Sequence, residues 1–270
     1  MRFNEKLTDA SKKNESLLCI GLDPDVERIP SFLRETKDPI FEFNKRIIDS
    51  TKDLVIAYKP NLAFYEALGL DGLTSLTKTI KYIPDDIPII ADAKRGDVEH
   101  SAKAYAKAMF DAFNFDAVTV NPYMGSDSVK PFLDYAEKGV FVLCRTSNPG
   151  SKNFQDLCCD SKKFLYEIVA EHAVGWNVNK NCGLVVGATY PEELKKIRDM
   201  VGEDMPILIP GVGAQAGDLE KAVKFGTNSS GDMAIISASR VILYASKEKD
   251  FDTKARMVAN YIREDINQFR

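Results

Sequence analysis

The sequence predicts an α/β protein: a single (β/α)8 TIM barrel with a parallel eight-stranded core. Three observations carry the prediction. Eight short apolar runs recur along the chain, and helical patterns fill the gaps between them. The length, 270 residues, suits a fold that typically takes about 250. The runs are SLLCIGLD (16–23), LVIAYKPN (54–61), IPIIADAK (87–94), DAVTVNPY (116–123), GVFVLCRT (139–146), NCGLVVGAT (181–189), MPILIPGVG (205–213) and DMAIISASR (232–240). They are near-continuously apolar instead of alternating, the pattern of parallel strands covered on both faces.

The gaps read as helices. VEHSAKAYAKAMFDAF (98–113) places Val98, Ala102, Tyr105, Ala106, Met109, Phe110 and Phe113 on one apolar stripe, with Asp97 as its cap. PEELKKIRDMVG (191–202) opens on proline and acids and closes on glycine, a strong helix signature. KKFLYEIVAEHAVGW (162–176), GDLEKAVKFG (217–226) and TKARMVANYIREDI (253–266) are similar. An open doubly wound sheet is the alternative, but no G-x-G-x-x-G follows any run. Two connections are long for a minimal barrel, 24–53 and 147–161. No repeat or low-complexity linker divides the chain, so residues 1–270 are expected to form one domain.

Composition narrows the function. Hydrophobic residues at 44% and charged residues at 28% afford a core and argue against disorder. A net charge of −4 without a basic patch gives no support for nucleic acid or an anionic membrane as partner. The five cysteines are odd in number and contain no C-x-x-C pair. Cys19, Cys144 and Cys182 sit in apolar runs as small hydrophobes, and Cys158 and Cys159 form a loop pair without metal spacing. A reducing compartment is expected. The N-terminus, MRFNEKLTDASKKNE, is too polar for a signal peptide, and no apolar stretch is long enough to span a membrane. The expectation is a soluble, cytoplasmic protein.

In such a barrel, active-site groups come from the C-terminal ends of the strands. Here the runs end in Asp23, in Lys59 and Asn61, in Asp92 and Lys94, in Asn121, in Arg145-Thr146-Ser147, in Ala188-Thr189, in Gly211-Val212-Gly213, and in Ser239-Arg240. Asp92 and Lys94 are two apart on a strand and face one side. With Lys59 on the neighbouring strand and Asp97 in the following turn, they make an alternating array of acids and lysines. Such an array holds each lysine protonated beside a carboxylate. The bland alternative is that Lys-Arg-Gly-Asp is a solvated turn. Lys59 and Asp23 at matching strand ends favour the charged centre.

PGVGAQAGD (210–218) offers glycines, backbone amides and Gln215 to an anion, and Arg240 follows one strand later. Strands seven and eight are where many barrels bind phosphate. RTSNPGS (145–151) is a turn that could also present Ser147 and Asn148 to a planar polar group. His100 and His172 fall within helices and do not suggest metal ligation or Ser-His-Asp chemistry. Trp176 and the Phe and Tyr residues read as core.

The ordered set Gly-Leu-Asp-Pro (21–24), Tyr-Lys-Pro-Asn (58–61), Asp-Ala-Lys-Arg-Gly-Asp (92–97), Thr-Ser-Asn-Pro-Gly (146–150), Val-Gly-Ala-Thr (186–189), Pro-Gly-Val-Gly-Ala-Gln (210–215) and Ser-Arg (239–240) resembles the orotidine 5′-monophosphate decarboxylases across nearly the whole chain. The Thr-Ser-Asn-Pro-Gly wording and the long 147–161 loop resemble the second of that family's two broad sequence groups.

The resemblance implies decarboxylation of orotidine 5′-monophosphate to uridine 5′-monophosphate and CO2, without metal or organic cofactor. It implies Lys94 as proton donor, Asp92 against the substrate carboxylate, and a Lys59-Asp92-Lys94-Asp97 network completed across a homodimer by Asp97 of the partner copy. It places Asp23, Lys59 and Asn61 on the ribose, Ser101 near the partner's ribose, Ser147 on the pyrimidine edge, and Gln215 and Arg240 on the 5′-phosphate. Asn121, Thr146 and Ser239 complete the expected substrate-binding set. The rivals are a Mg²⁺-dependent sugar-phosphate lyase, Schiff-base chemistry at Lys94, and a non-catalytic phosphate-binding barrel. The lyase would need a further acidic ligand at a strand end, where Lys59 stands instead.

Overall fold

The computed structural model describes residues 1–159, 162–212 and 218–270. Eight parallel strands form one sheet: β1 (Leu18–Leu22), β2 (Ala57–Pro60), β3 (Ile90–Arg95), β4 (Ala117–Val120), β5 (Gly139–Arg145), β6 (Cys182–Val186), β7 (Ile207–Pro210) and β8 (Ala234–Ala238). Each lies within its apolar run, β3 passing its end by one residue. The hydrogen-bonded order is β2-β1-β8-β7-β6-β5-β4-β3. Two isolated parallel bridges, Tyr58 to Ile89 and Asn61 to Asp92, bring β2 against β3 and close the (β/α)8 barrel. Most strand residues are buried, because neighbouring side chains fill the interior on one face and helices cover the other.

The helices at 165–176, 191–201, 219–226 and 251–269 fall where the periodicity places them. The connection 24–53 is not a long loop. It holds a short helix, Ser31–Arg34, and a full one, Pro39–Thr51. Asp38 caps the latter through the Phe41 amide, and Ile40, Phe43, Ile47 and Ile48 form its buried stripe. The described part of the 147–161 connection, residues 147–159, is folded: a 3-10 turn at Pro149–Asn153, then an antiparallel bridge from Cys158 to Phe164. At the other end of the barrel the helix Phe3–Asn14 lays Phe3 edge-on to Phe141, 5.7 Å away. Gly139 makes room, since a Cβ there would fall 2.5 Å from the Phe3 ring.

Two local expectations need correction. The helix after β3 begins at Glu99, with Val98 at its cap position. Asp97 instead accepts a hydrogen bond from the adjacent Val98 amide (2.7 Å). Ala102, Ala106, Met109 and Phe110 are buried as expected, but Val98 and Tyr105 are exposed. Val98 precedes the first turn, and Tyr105 lies under the Arg95 guanidinium (5.3 Å). The aromatic residues are not all core: Tyr123, Phe154, Phe164 and Tyr261 are exposed and Trp176 is only half-buried, stacked on His172. No helix among the described residues is long and apolar enough to cross a membrane.

One polar residue ties the strand N-terminal ends together. Arg198 is buried, and its guanidinium donates five hydrogen bonds to the carbonyls of Gly202, Met205, Gly226 and Met233 at 2.8–3.0 Å. Burial lowers its pKa to about 10, so it stays cationic at neutral pH. Arg198→Leu removes the side-chain donor from the Gly202, Met205 and Gly226 carbonyls, while the Met233 carbonyl keeps the Ile207 amide. It should lower unfolding free energy by about 3 kcal/mol or more, read by urea denaturation, while activity per folded molecule is kept. An unchanged transition midpoint would contradict the staple.

Candidate active site

The C-terminal mouth of the barrel holds a buried charge network. Lys59, at the end of β2, is 5% exposed, and its Nζ donates to Asp92 Oδ2 at 3.1 Å. Lys94 Nζ donates to Asp92 Oδ1. One carboxylate is thereby shared by two ammoniums, one oxygen each. The two lysines differ in access: the Lys59 side chain is 7% exposed and the Lys94 side chain 49%. Lys94 is the more open of the two to a ligand.

Burial alone would raise the pKa of Asp92, but the Lys59 and Lys94 ammoniums outweigh it and hold the carboxyl well below its usual range. Burial alone would lower Lys59. The carboxylates of Asp92 and then Asp23 overcome that and push it above an ordinary lysine. Both partners are therefore charged at neutral pH. Cys19, deeper in the barrel, is pushed up to about 12 by burial and stays a neutral thiol.

Asp92 and Lys94 do meet, yet not by regular strand alternation. Lys94 has φ 47°, in the left-handed region, and the β3–β4 register shifts between Ala91 and Arg95. A left-handed residue that is not glycine must be held there by its surroundings. Thr119, on β4, supplies contacts at this point: its Oγ1 accepts from the amides of Ala93 (3.0 Å) and Lys94 (2.9 Å) and donates to Asp92 Oδ1 (3.2 Å). The sequence did not single it out. Gly96 then lets the turn pass close to β4, since a Cβ there would lie 2.9 Å from the Asn121 carbonyl. Arg95 points away, paired with Glu66.

Asp97 is half-buried just beyond. Among the described residues of this chain, no hydrogen bond or ion pair joins it to Lys59, Asp92 or Lys94. Ser101 sits half-buried in the helix Glu99–Lys107.

On the opposite side of the mouth, Asp23 follows β1. Its Oδ2 accepts from Ser239 Oγ at 2.6 Å, and its Oδ1 is buried without a partner among the described residues. Gly21 keeps this contact close, because a Cβ there would fall 2.9 Å from Ser239 Cβ. Tyr244 fixes the turn: its hydroxyl donates to the Asp23 carbonyl (3.0 Å) and accepts from the Asp25 amide (2.8 Å). Asn61 caps the helix Leu62–Glu66 through the Ala63 amide (3.2 Å). Asn121 is exposed and accepts from the Tyr123 amide. Arg240 is exposed at the start of the helix Arg240–Leu243. Gln215, with Gly213, lies outside the described residues.

The fifth strand end is mostly support. Arg145 is buried, donates to Ser151 Oγ (3.1 Å) and Gln155 Oε1 (3.3 Å), pairs with Asp156 (2.9 Å) and covers the Tyr190 ring (3.7 Å). Thr146 is bound at both its amide and hydroxyl by the Gln155 side chain (2.9 and 2.8 Å). Its hydroxyl also donates to Asn148 Oδ1. Ser147 is half-buried beside Gly187, where a Cβ would fall 2.8 Å from Ser147 Cβ. Arg145 and Gln155 thus hold the loop that presents Ser147.

Residues 16–251 match the family model described as "Orotidine 5'-phosphate decarboxylase / HUMPS family". The chain belongs to this family. Orotidine 5'-phosphate decarboxylase from Dehalococcoides mccartyi (strain BAV1) is 50% identical over 273 residues, covering 100% of this chain and 99% of that protein. Among solved structures, Leishmania donovani OMP decarboxylase is 39% identical with TM-score 0.85, covering 99% of this chain and 100% of that one. Leishmania donovani UMP synthase is 41% identical with TM-score 0.90, and this chain spans 56% of its length. Full-length similarity to the decarboxylases makes the chain a carboxy-lyase of the orotidine-5′-phosphate decarboxylase class, acting in pyrimidine biosynthesis.

The pKa directions set a pH signature for this mouth. Asp92 is depressed on folding, so its contribution is present above the unfolded carboxylate value and lost as pH falls through the folded one. Lys59 is raised, so its contribution is present below the unfolded lysine value and lost as pH climbs through the folded one. The pair stabilises fully between about pH 4 and 10. Asp92→Asn leaves Lys59 buried without its main partner, which reverses the direction of the Lys59 shift. The variant should lose about 3 kcal/mol at pH 7, and the gap to wild type should narrow toward pH 10 in urea titrations. A pH-independent gap would contradict the coupling.

Proposed function

We propose that the mouth binds orotidine 5′-phosphate and that Lys94 protonates C6 as CO2 leaves. The observation that carries this reading is the access difference within the shared-carboxylate network. Lys59 is the more buried of the two and holds Asp92 ionised; Lys94 extends toward the open mouth. Loss of CO2 from C6 leaves an electron pair in the ring plane, poorly delocalised. A fixed ammonium beside that carbon stabilises the developing charge and then delivers its proton. The Asp92 carboxylate sits where it repels the substrate carboxylate, a repulsion removed on departure of CO2.

Binding is assigned to the remaining rim. Asp23, with its unpartnered buried oxygen, takes the ribose hydroxyls with Lys59 and Asn61. Ser147 takes the pyrimidine edge, with Asn121, Thr146 and Ser239 shaping the walls. Arg240 and Gln215 take the 5′-phosphate, far from C6, so their binding energy orients the ring. The reaction needs no metal or organic cofactor, because the ammonium supplies both charge and proton. Residues 1–270 act as one cytoplasmic catalytic domain.

The deciding assay follows loss of the orotate chromophore with EDTA-treated protein. Turnover should persist, and Lys94→Ala should lower kcat by about 10³-fold or more while product binding is largely kept. A wild-type rate in that variant would overturn the proton-donor role, and dependence on added metal would overturn the cofactor-free one.

The proposed assembly is a homodimer in which Asp97 and Ser101 of each copy reach the other copy's site. Asp97 has no bond to its own network, and exposed Val98, Tyr105, Tyr123 and Met124 lie on the elements around it. The Gly96–Asn121 approach brings the two loops together. Asp97→Ala and Lys94→Ala chains, each inactive alone, should regain activity when mixed, because the heterodimer holds one complete site. No recovery would refute the shared site.

A further inference from the structure

Thr119 is buried in β4, 1% exposed, and has three hydrogen bonds on one oxygen. A hydroxyl has two lone pairs and one proton. The amides of Ala93 and Lys94 occupy the lone pairs, so the proton is left to point at Asp92 Oδ1. The same three bonds span the β3–β4 register shift and the left-handed backbone of Lys94. The β-branched side chain is stiff at χ1, so the hydroxyl is already oriented before the turn closes on it.

We propose that Thr119 is a positioning residue for the decarboxylation: by gripping the Ala93 and Lys94 amides and the Asp92 carboxylate at once, it sets the reach of the Lys94 ammonium to C6. This rests on the reading that Lys94 delivers the proton. Thr119 acts through Lys94 and Asp92 and makes no contact with substrate itself. The purely structural alternative is that its hydroxyl only satisfies two buried amides.

The titratable groups facing the Asp92–Lys59 pair are Lys94 on β3 itself, Cys19 on β1 and Asp23 just after β1. Thr119 adds an uncharged donor that favours ionised Asp92, and its loss should raise the Asp92 pKa.

The test compares Thr119→Val, which keeps the shape and removes the hydroxyl, with Thr119→Ser, which keeps the hydroxyl. Sites are counted by binding of uridine 5′-monophosphate, so misfolded protein drops out of the rate. In Thr119→Val, kcat per site should fall by about 10²-fold with KM within a few-fold, because the ribose and phosphate contacts lie elsewhere. The acid limb of kcat should move to higher pH. Thr119→Ser should return the limb to its wild-type position and recover most of kcat. A wild-type kcat and pH profile per site in Thr119→Val overturns the proposal, as does a displaced acid limb in Thr119→Ser, which stands as a test even where the valine variant does not fold. Lys94→Ala run alongside separates the two readings. If that variant is active, the proton-donor reading fails. If it is inactive while Thr119→Val matches wild type, only the positioning role fails.

Discussion

The Asp92 carboxylate, shared between the ammoniums of Lys59 and Lys94, is the interaction on which the mouth of this barrel depends. It lies at the seam where β2 meets β3, which the backbone closes only with two isolated bridges, one of them from Asn61 to Asp92 itself. The other neighbouring strands are joined by ladders. A buried carboxylate with two cationic partners is well satisfied, while one with none would be expelled or neutralised. The seam and the site are therefore one structure. The ion pair that brings β2 to β3 also keeps Asp92 ionised beside Lys94.

Around this centre, the fixed groups and the free ones divide cleanly. Arg145, Gln155 and Asp156 hold the cover over the fifth strand end, and Tyr244 and Ser239 hold Asp23. What these supports leave accessible is the Lys94 ammonium, Ser147 and Arg240, with one buried Asp23 oxygen left unpartnered among the described residues. At the other end of the barrel, Arg198 through its hydrogen bonds and the Phe3 helix through packing serve stability. Such a division between a functional C-terminal face and a stabilising N-terminal face is general for the fold. It lets the mouth carry strain, such as the left-handed Lys94, without loosening the core.

Much of this was legible in the chain because buried parallel strands leave an unmistakable apolar run, and a polar residue ending such a run has few reasons to be there other than chemistry. That logic located Asp23, Lys59, Asp92 and Lys94. It failed where the signal is local or conformational. The helix Pro39–Thr51 was hidden in an apparent loop, although Asp38-Pro39 is a good helix start and Ile40, Phe43, Ile47 and Ile48 keep the period. Asp97 read as a cap, but the helix begins two residues later. Tyr123 and Phe154 read as core because aromatic character alone does not say which face is covered. Thr119 was invisible: threonine in a strand is ordinary β-propensity, and the bulge it holds is set by Lys94, a residue type that does not advertise positive φ. Tyr244 and Arg145 act through contacts distant in sequence or in a loop, which no spacing rule reports.

The central claim is that the Lys94 ammonium, held by Asp92, exchanges a proton with C6. By microscopic reversibility the neutral Lys94 amine left after that transfer must take the C6 proton back from the product, at a low rate. Uridine 5′-monophosphate incubated with the protein in D2O, followed by proton NMR, measures this step with no decarboxylation involved. Loss of the C6–H signal with wild-type protein and its retention with Lys94→Ala is the result the account predicts. Exchange undiminished in Lys94→Ala would contradict it and place the proton on another group.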